Sequence, residues 1–399
     1  ICVVNPAILS AGGIPAGAAF SATCLAAAFG SVLMGVLANL PIALAPGMGI
    51  NAYVAYTLVL SQGLAWQTAL GAVAVSGVAF LALSLTPLRE KLLQAMPDGL
   101  RRGTAAGIGL LLGLVGLKNA GVVAADPATI IGAGALAAPP AVIALCGLAL
   151  AVALERRRVA GSVLIAVATC SVMAIAMGLH PFSGVFAMPP SLAPTLFAAD
   201  WRAALAPGML GAVLSLLFID FMDTAGTLVG VTRSMQGKAG ELQPPQMRKA
   251  MLADAVATVG GAVMGTSTVT SFAESGAGVA VGACTGLAAV TTGVLFLAAL
   301  FFSPLAASVA PFATTPALLF VAASMMKALA GLNWEDVSEW VPAIATALTI
   351  GLTFSIATGV GIGAAIYCLA KYGAGLGKEV PFGLVAIAAL FAAKVVYLG

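Results

Sequence analysis

The chain has 399 residues, 61% of them hydrophobic and 8% charged, with a formal net charge of +3 at pH 7. Soluble domains carry about 25% charged residues, so this composition excludes a water-soluble globule. The few basic residues sit in short clusters between apolar runs, which excludes a nucleic-acid partner and leaves the lipid bilayer as solvent.

In chain order, apolar runs fall at 1–10 (cut short), 18–39, 41–61, 66–86, 98–117, 138–154, 159–178, 206–230, 250–264, 268–281, 285–302, 314–332, 341–372 and 381–398. About 20 apolar residues cross roughly 30 Å of hydrocarbon as a helix. The runs are continuous rather than alternating, which points to helices and not to a transmembrane β-barrel. The stretch 341–372 reads as one long broken element or as two short spans. The 47 glycines suit closely packed membrane helices.

Basic residues orient the chain. Arg89, Lys91, Arg101 and Arg102 follow the fourth span, Arg156, Arg157 and Arg158 the sixth, and Arg233, Lys238, Arg248 and Lys249 the eighth. With the first span running outward, all three clusters are cytoplasmic, and the opposite loops hold only Lys118 and Arg202. The expectation is a multi-pass plasma-membrane protein.

Two spans are interrupted. The third contains Pro46-Gly47-Met48-Gly49, which breaks a helix and favours a new start near Pro46. The tenth opens with Thr266-Ser267-Thr268-Val269-Thr270-Ser271, which favours an extended piece, and a helix start is expected near Ala273. Broken spans at matching places in two halves point to a transporter site at the bilayer midplane. Non-helical backbone at that depth must be covered by protein or line a cavity.

Asp220, Asp223, Asp254 and Glu274 stand in or at the ends of apolar spans. Each costs about 2.5–3.5 kcal/mol to insert at mid-bilayer, so such residues mark substrate or proton paths. Asp220 and Asp223 are three apart and share a helix face. A carboxylate withdrawn from water holds a proton more readily, which suits proton coupling. Asp254 either bonds backbone N–H groups of the broken tenth span or takes part in the site. Asn51 either reads a ligand edge or ties the third span to a neighbour. Met48 and Ala273, at the two half-helix starts, complete the candidate substrate contacts. The six cysteines form no CxxC pair and His180 has no ligand partner nearby in sequence, so neither a metal nor a cofactor is expected. No HExxH or GxSxG motif is present, which argues against an enzyme.

The segments Val4-Asn5-Pro6-Ala7-Ile8-Leu9, Ala45-Pro46-Gly47-Met48-Gly49-Ile50-Asn51-Ala52, Asp220-Phe221-Met222-Asp223-Thr224-Ala225-Gly226-Thr227-Leu228 and Gly265-Thr266-Ser267-Thr268-Val269-Thr270 leading to Glu274-Ser275 resemble the nucleobase–cation symporter family, closest to its AzgA-like purine permeases. The resemblance covers nearly the whole chain. It implies an all-α membrane protein of 14 transmembrane segments in two inverted repeats of seven. It also implies a core domain of 1–86 and 206–302, a gate domain of 98–200 and 304–399, and a homodimer. In function it implies proton-coupled symport of guanine, hypoxanthine or adenine by alternating access. Asn51, Asp220, Asp223 and Glu274 then serve purine binding, with Asp223 and Glu274 in proton coupling and Asp254 in coupling or bracing. Another nucleobase (uracil or xanthine) or a small anion carried by the same fold is the alternative. One departure stands out: relatives carry Gly-Gly-Arg-Thr-Gly where this chain reads Gly282-Ala283-Cys284-Thr285-Gly286, without the arginine.

Overall fold

The computed structural model describes all residues except 87–95, 127–129, 160, 235–243, 273, 281, 382, 386, 387, 390 and 393–399. Arg89, Lys91, Lys238, Ala273 and part of 381–398 lie outside the described residues. The chain divides into two compact units, Ile1–Leu93 with Val185–Ser303 and Gln94–Gly184 with Pro304–Gly399. Six helices are long and apolar enough to cross a membrane among the described residues, and shorter apolar helices accompany them.

The first unit holds α1 (Val4–Ala11), α2 (Ala16–Leu37), strand β1 (Leu44–Pro46) and α3 (Met48–Ala52), which runs on as a π-helix over Tyr53–Ser61, then α4 (Trp66–Ser84). The second unit opens with α5 (Asp98–Asn119), a hairpin of β2 (Val123–Asp126) and β3 (Ile130–Ala133), α6 (Pro139–Arg156) and α7 (Ser162–Ala176). The chain then returns to the first unit for α8 (Leu210–Ser234), α9 (Pro244–Met264), β4 (Val269–Ser271), α10 (Ser275–Ala280) and α11 (Gly286–Ala299). It ends in the second unit with α12 (Thr315–Met326), α13 (Val337–Thr353) and α14 (Ile356–Gly373).

Three details settle or differ from the reading of the sequence. The run 341–372 is two helices, broken at Phe354, whose φ of 55° is left-handed, with Ser355 accepting a hydrogen bond from the Thr358 N–H. No glycine or proline marks this break. Residues 185–200 pack with the first unit, not with 98–184: Ser21 Oγ donates to the Pro190 carbonyl, and the Phe197 N–H to the Val263 carbonyl. The β2–β3 hairpin adds strand to a chain expected to be all helix.

Small residues let the elements of the first unit approach. A Cβ on Gly286 would lie 2.0 Å from the Gly35 carbonyl oxygen, so α2 and α11 touch backbone to backbone. A Cβ on Gly30 would meet Ala257 and Leu44 at 3.0 Å, which seats β1 between α2 and α9. Around this crossing Met34, Leu44, Phe80, Phe221, Met251 and Val269 form one buried apolar cluster, with Phe80 and Phe221 edge to face at 5.8 Å.

In the second unit, Lys371 is nearly buried and reaches Asp336, Glu339 and Glu379 at 3.2 Å each. Asp336 also caps α13 by accepting from the Ser338 N–H at 2.9 Å. The Ser338 hydroxyl, and then Lys371, hold the Asp336 carboxyl below the usual carboxylate range, against a smaller opposing effect of burial.

Candidate functional site

Both interrupted spans are extended where the sequence breaks. Proline at 46 pushes Ala45 to extended backbone, and the β-branched and hydroxyl run 266–271 prefers it too. The two pieces pair antiparallel, with Leu44 opposite Ser271, Ala45 opposite Thr270 and Pro46 opposite Val269. The pairing continues through the Gly47 N–H to the Thr268 carbonyl at 3.0 Å and the Phe272 N–H to the Ala43 carbonyl at 2.9 Å. Ser31 on α2 both donates to the Leu44 carbonyl and accepts from the Leu44 N–H, closing the other edge of β1. Backbone that would otherwise be stranded in lipid is thereby satisfied. Because the strands take Pro46 and Ser271, the helices start later than the composition suggested, at Met48 and Ser275.

Alternation along β4 sends its side chains to opposite sides. Thr270 donates to Asp223 Oδ2 at 3.0 Å, while Ser271 donates to Asp254 Oδ1 at 3.2 Å. Asp254 is fully buried, and its Oδ2 accepts from Thr224 Oγ1 at 2.9 Å. Both of its oxygens are used, and they join α8, α9 and β4. Its partners are these hydroxyls.

Asp220 is 1% exposed; its Oδ2 lies 3.3 Å from the Thr258 hydroxyl, and its Oδ1 has no partner among the described residues. Asp223, one turn on, is exposed beside β4, and Glu274 is exposed in the turn before α10. Met48 is half-buried at the start of α3. Asn51 is fully buried; its Nδ2 donates to Asn5 Oδ1 at 2.7 Å and its Oδ1 has no partner among the described residues. The π-helix begins two residues later at Tyr53, and such windings are common at functional sites.

The structure thus brings Asp220, Asp223 and Asp254 around β4, with Glu274 at its end. Asn51 sits in α3, within the first helical turn after β1. Sequence reasoning left out the hydroxyls Thr258, Thr270 and Ser271 that bind the carboxylates, and Asn5 that binds Asn51. The run of hydroxyls at 266–271 was the available signal, read for backbone shape and not for side-chain partners. The group is rich in acceptors: two carboxylates are exposed, and two buried oxygens lack donors among the described residues. It suits a ligand that brings N–H donors and disfavours an anion. Among the described residues no three His, Cys, Asp or Glu converge as metal ligands would.

Residues 1–362 match the model of the Permease family (Xan_ur_permease). The chain is 40% identical to an adenine permease, AdeQ, of Escherichia coli K12, over 99% of its own length and 89% of that protein. It is also 40% identical to the guanine/hypoxanthine permease PbuO of Bacillus subtilis 168, over 98% of its own length and 92% of that protein. In fold it matches the transmembrane domain of a cyanobacterial bicarbonate transporter, BicA, with a TM-score of 0.63 and 16% identity, over 88% of this chain and 92% of that one.

Proposed function

The chain belongs to the Permease family and is a multi-pass protein of the cell membrane, not an enzyme; from that premise we propose that it carries purine bases into the cell by proton-coupled symport with alternating access. Guanine, hypoxanthine and adenine are the substrates in view, since its relatives include an adenine permease and a guanine/hypoxanthine permease. The observation that carries the reading is the acceptor-rich group at the β1–β4 crossing. These purines offer ring N–H groups, joined in guanine and adenine by an amino group, all in one plane, and carboxylates accept them strongly.

In this reading Glu274, Asp223, Asp220 and Asn51 receive the base, with Met48 beside it. Asp223 and Glu274, the two exposed carboxylates, exchange the coupled proton. Asp254 braces the site, because both of its oxygens are already engaged. The unit Ile1–Leu93 with Val185–Ser303, which holds every one of these residues, is the substrate-carrying core, and the other unit is the gate. An anion carrier of this fold is disfavoured, because Asp220, Asp223 and Glu274 would repel its substrate.

Cells lacking their own purine uptake provide the test. Expression of this chain is expected to restore uptake of labelled guanine, hypoxanthine or adenine at least about tenfold over background, and a protonophore is expected to abolish it. Uracil should compete weakly, since its single ring lacks the imidazole N–H and the added ring surface that a purine brings. Surface-expressed protein that moves none of the purines would remove the assignment.

A further inference from the structure

One chain of hydrogen bonds in the first unit has a direction that can be followed from end to end. The Thr23 hydroxyl on α2 donates to the Ala19 carbonyl at 2.6 Å. A threonine hydroxyl has one proton, so Thr23 can only accept from Asn5, and the Asn5 atom facing it at 2.7 Å is Nδ2. The same nitrogen donates to Thr266 Oγ1 at 2.9 Å, which uses its second proton. The opposite side of that amide is therefore Oδ1, and Asn51 meets it with Nδ2 at 2.7 Å. Amide orientations are assigned from such networks, and here each follows from the one before, back to the main chain of α2. The last group in the chain is Asn51 Oδ1, fully buried and without a partner among the described residues.

We infer that Asn5 is a positioning residue, which turns Asn51 so that its carbonyl oxygen, and not its N–H, is held for an N–H donor of the transported base. The inference rests on the purine-carrier reading and specifies it. An asparagine free to turn over offers a donor or an acceptor to whatever arrives. A locked one rejects a base that brings an acceptor or a methyl group to that position, because a buried polar group is then left unpaired. Asn5 touches the base only through Asn51.

The test compares wild type with Asn5→Ala and Asn5→Asp, using guanine and hypoxanthine and their N1-, N7- and N9-methyl derivatives, with surface level measured for each. Asn5→Ala removes the oxygen that holds Asn51. Asn5→Asp keeps an oxygen toward Asn51, and in its neutral acid form its O–H donates to Thr23 in place of one N–H. The expected result for Asn5→Ala is a KM raised about tenfold, with Vmax per transporter within about twofold. Its rejection of at least one methyl derivative should shrink to about threefold or less from tenfold or more in wild type. Asn5→Asp should keep both wild-type properties. Should Asn5→Ala not reach the membrane, Asn5→Ser, whose side chain is too short to hold Asn51, is read in the same way. An unchanged KM and unchanged methyl rejection overturn the inference, as does a loss confined to surface level and Vmax. Wild type that carries no purine overturns the carrier reading and this inference together; wild type that carries purine beside an unaltered Asn5→Ala overturns this inference alone.

Discussion

Glu274→Gln is expected to reach the membrane intact and to lose purine uptake by roughly 10- to 100-fold. Glu274 is exposed in the turn that leads from β4 into α10, so the substitution removes no packing and keeps the shape of the side chain. What it removes is charge, and one of two acceptor oxygens becomes a donor. A hydrogen bond to a charged group contributes about 1.5–3 kcal/mol, and each 1.4 kcal/mol is about tenfold in an equilibrium constant. Uptake of labelled guanine or hypoxanthine, normalised to surface protein, reads the effect, and thermal unfolding in detergent checks that the fold is unchanged. Glutamine at this position with wild-type uptake would take Glu274 out of the site.

Asp254 should behave in the opposite way. Asp254→Ala is expected to destabilise the first unit by about 2–4 kcal/mol, since the buried hydroxyls of Thr224 and Ser271 each lose an acceptor. The loss would show as a lower unfolding temperature in detergent and less protein in the membrane. Asp254→Asn keeps one acceptor oxygen, and the hydroxyl facing its nitrogen can turn to accept. That variant should fold and retain uptake within about threefold of wild type. The pair therefore separates a brace from a proton carrier: a stable Asp254→Asn that no longer transports would move proton coupling onto Asp254.

The span-like apolar runs and both breaks were legible in the sequence, because run length and the Pro-Gly and β-branched clusters act within a few residues of where they sit. The carboxylates were legible for a related reason: a charge in an apolar run is conspicuous whatever it contacts. Their partners were not. Thr258 meets Asp220 across 38 positions and Asn5 meets Thr266 across 261, and no local period carries such pairings. The antiparallel pairing of Leu44–Pro46 with Val269–Ser271 is likewise made by tertiary packing, with Gly30 giving the room. The break at Phe354 lacked a glycine or proline to announce it. Residues 185–200 looked like any loop, and hydrogen bonds to distant residues, among them Ser21, Gln67, Val263 and Met264, tie them to the first unit.

The central claim, that a purine and a proton enter together, is tested most directly in proteoliposomes loaded with a pH-sensitive dye. A step of guanine or hypoxanthine outside, at a clamped membrane potential, should acidify the lumen in wild type and leave it unchanged with Glu274→Gln. Labelled purine that enters the same vesicles at full rate without moving lumenal pH would contradict proton coupling and leave a carrier of another kind.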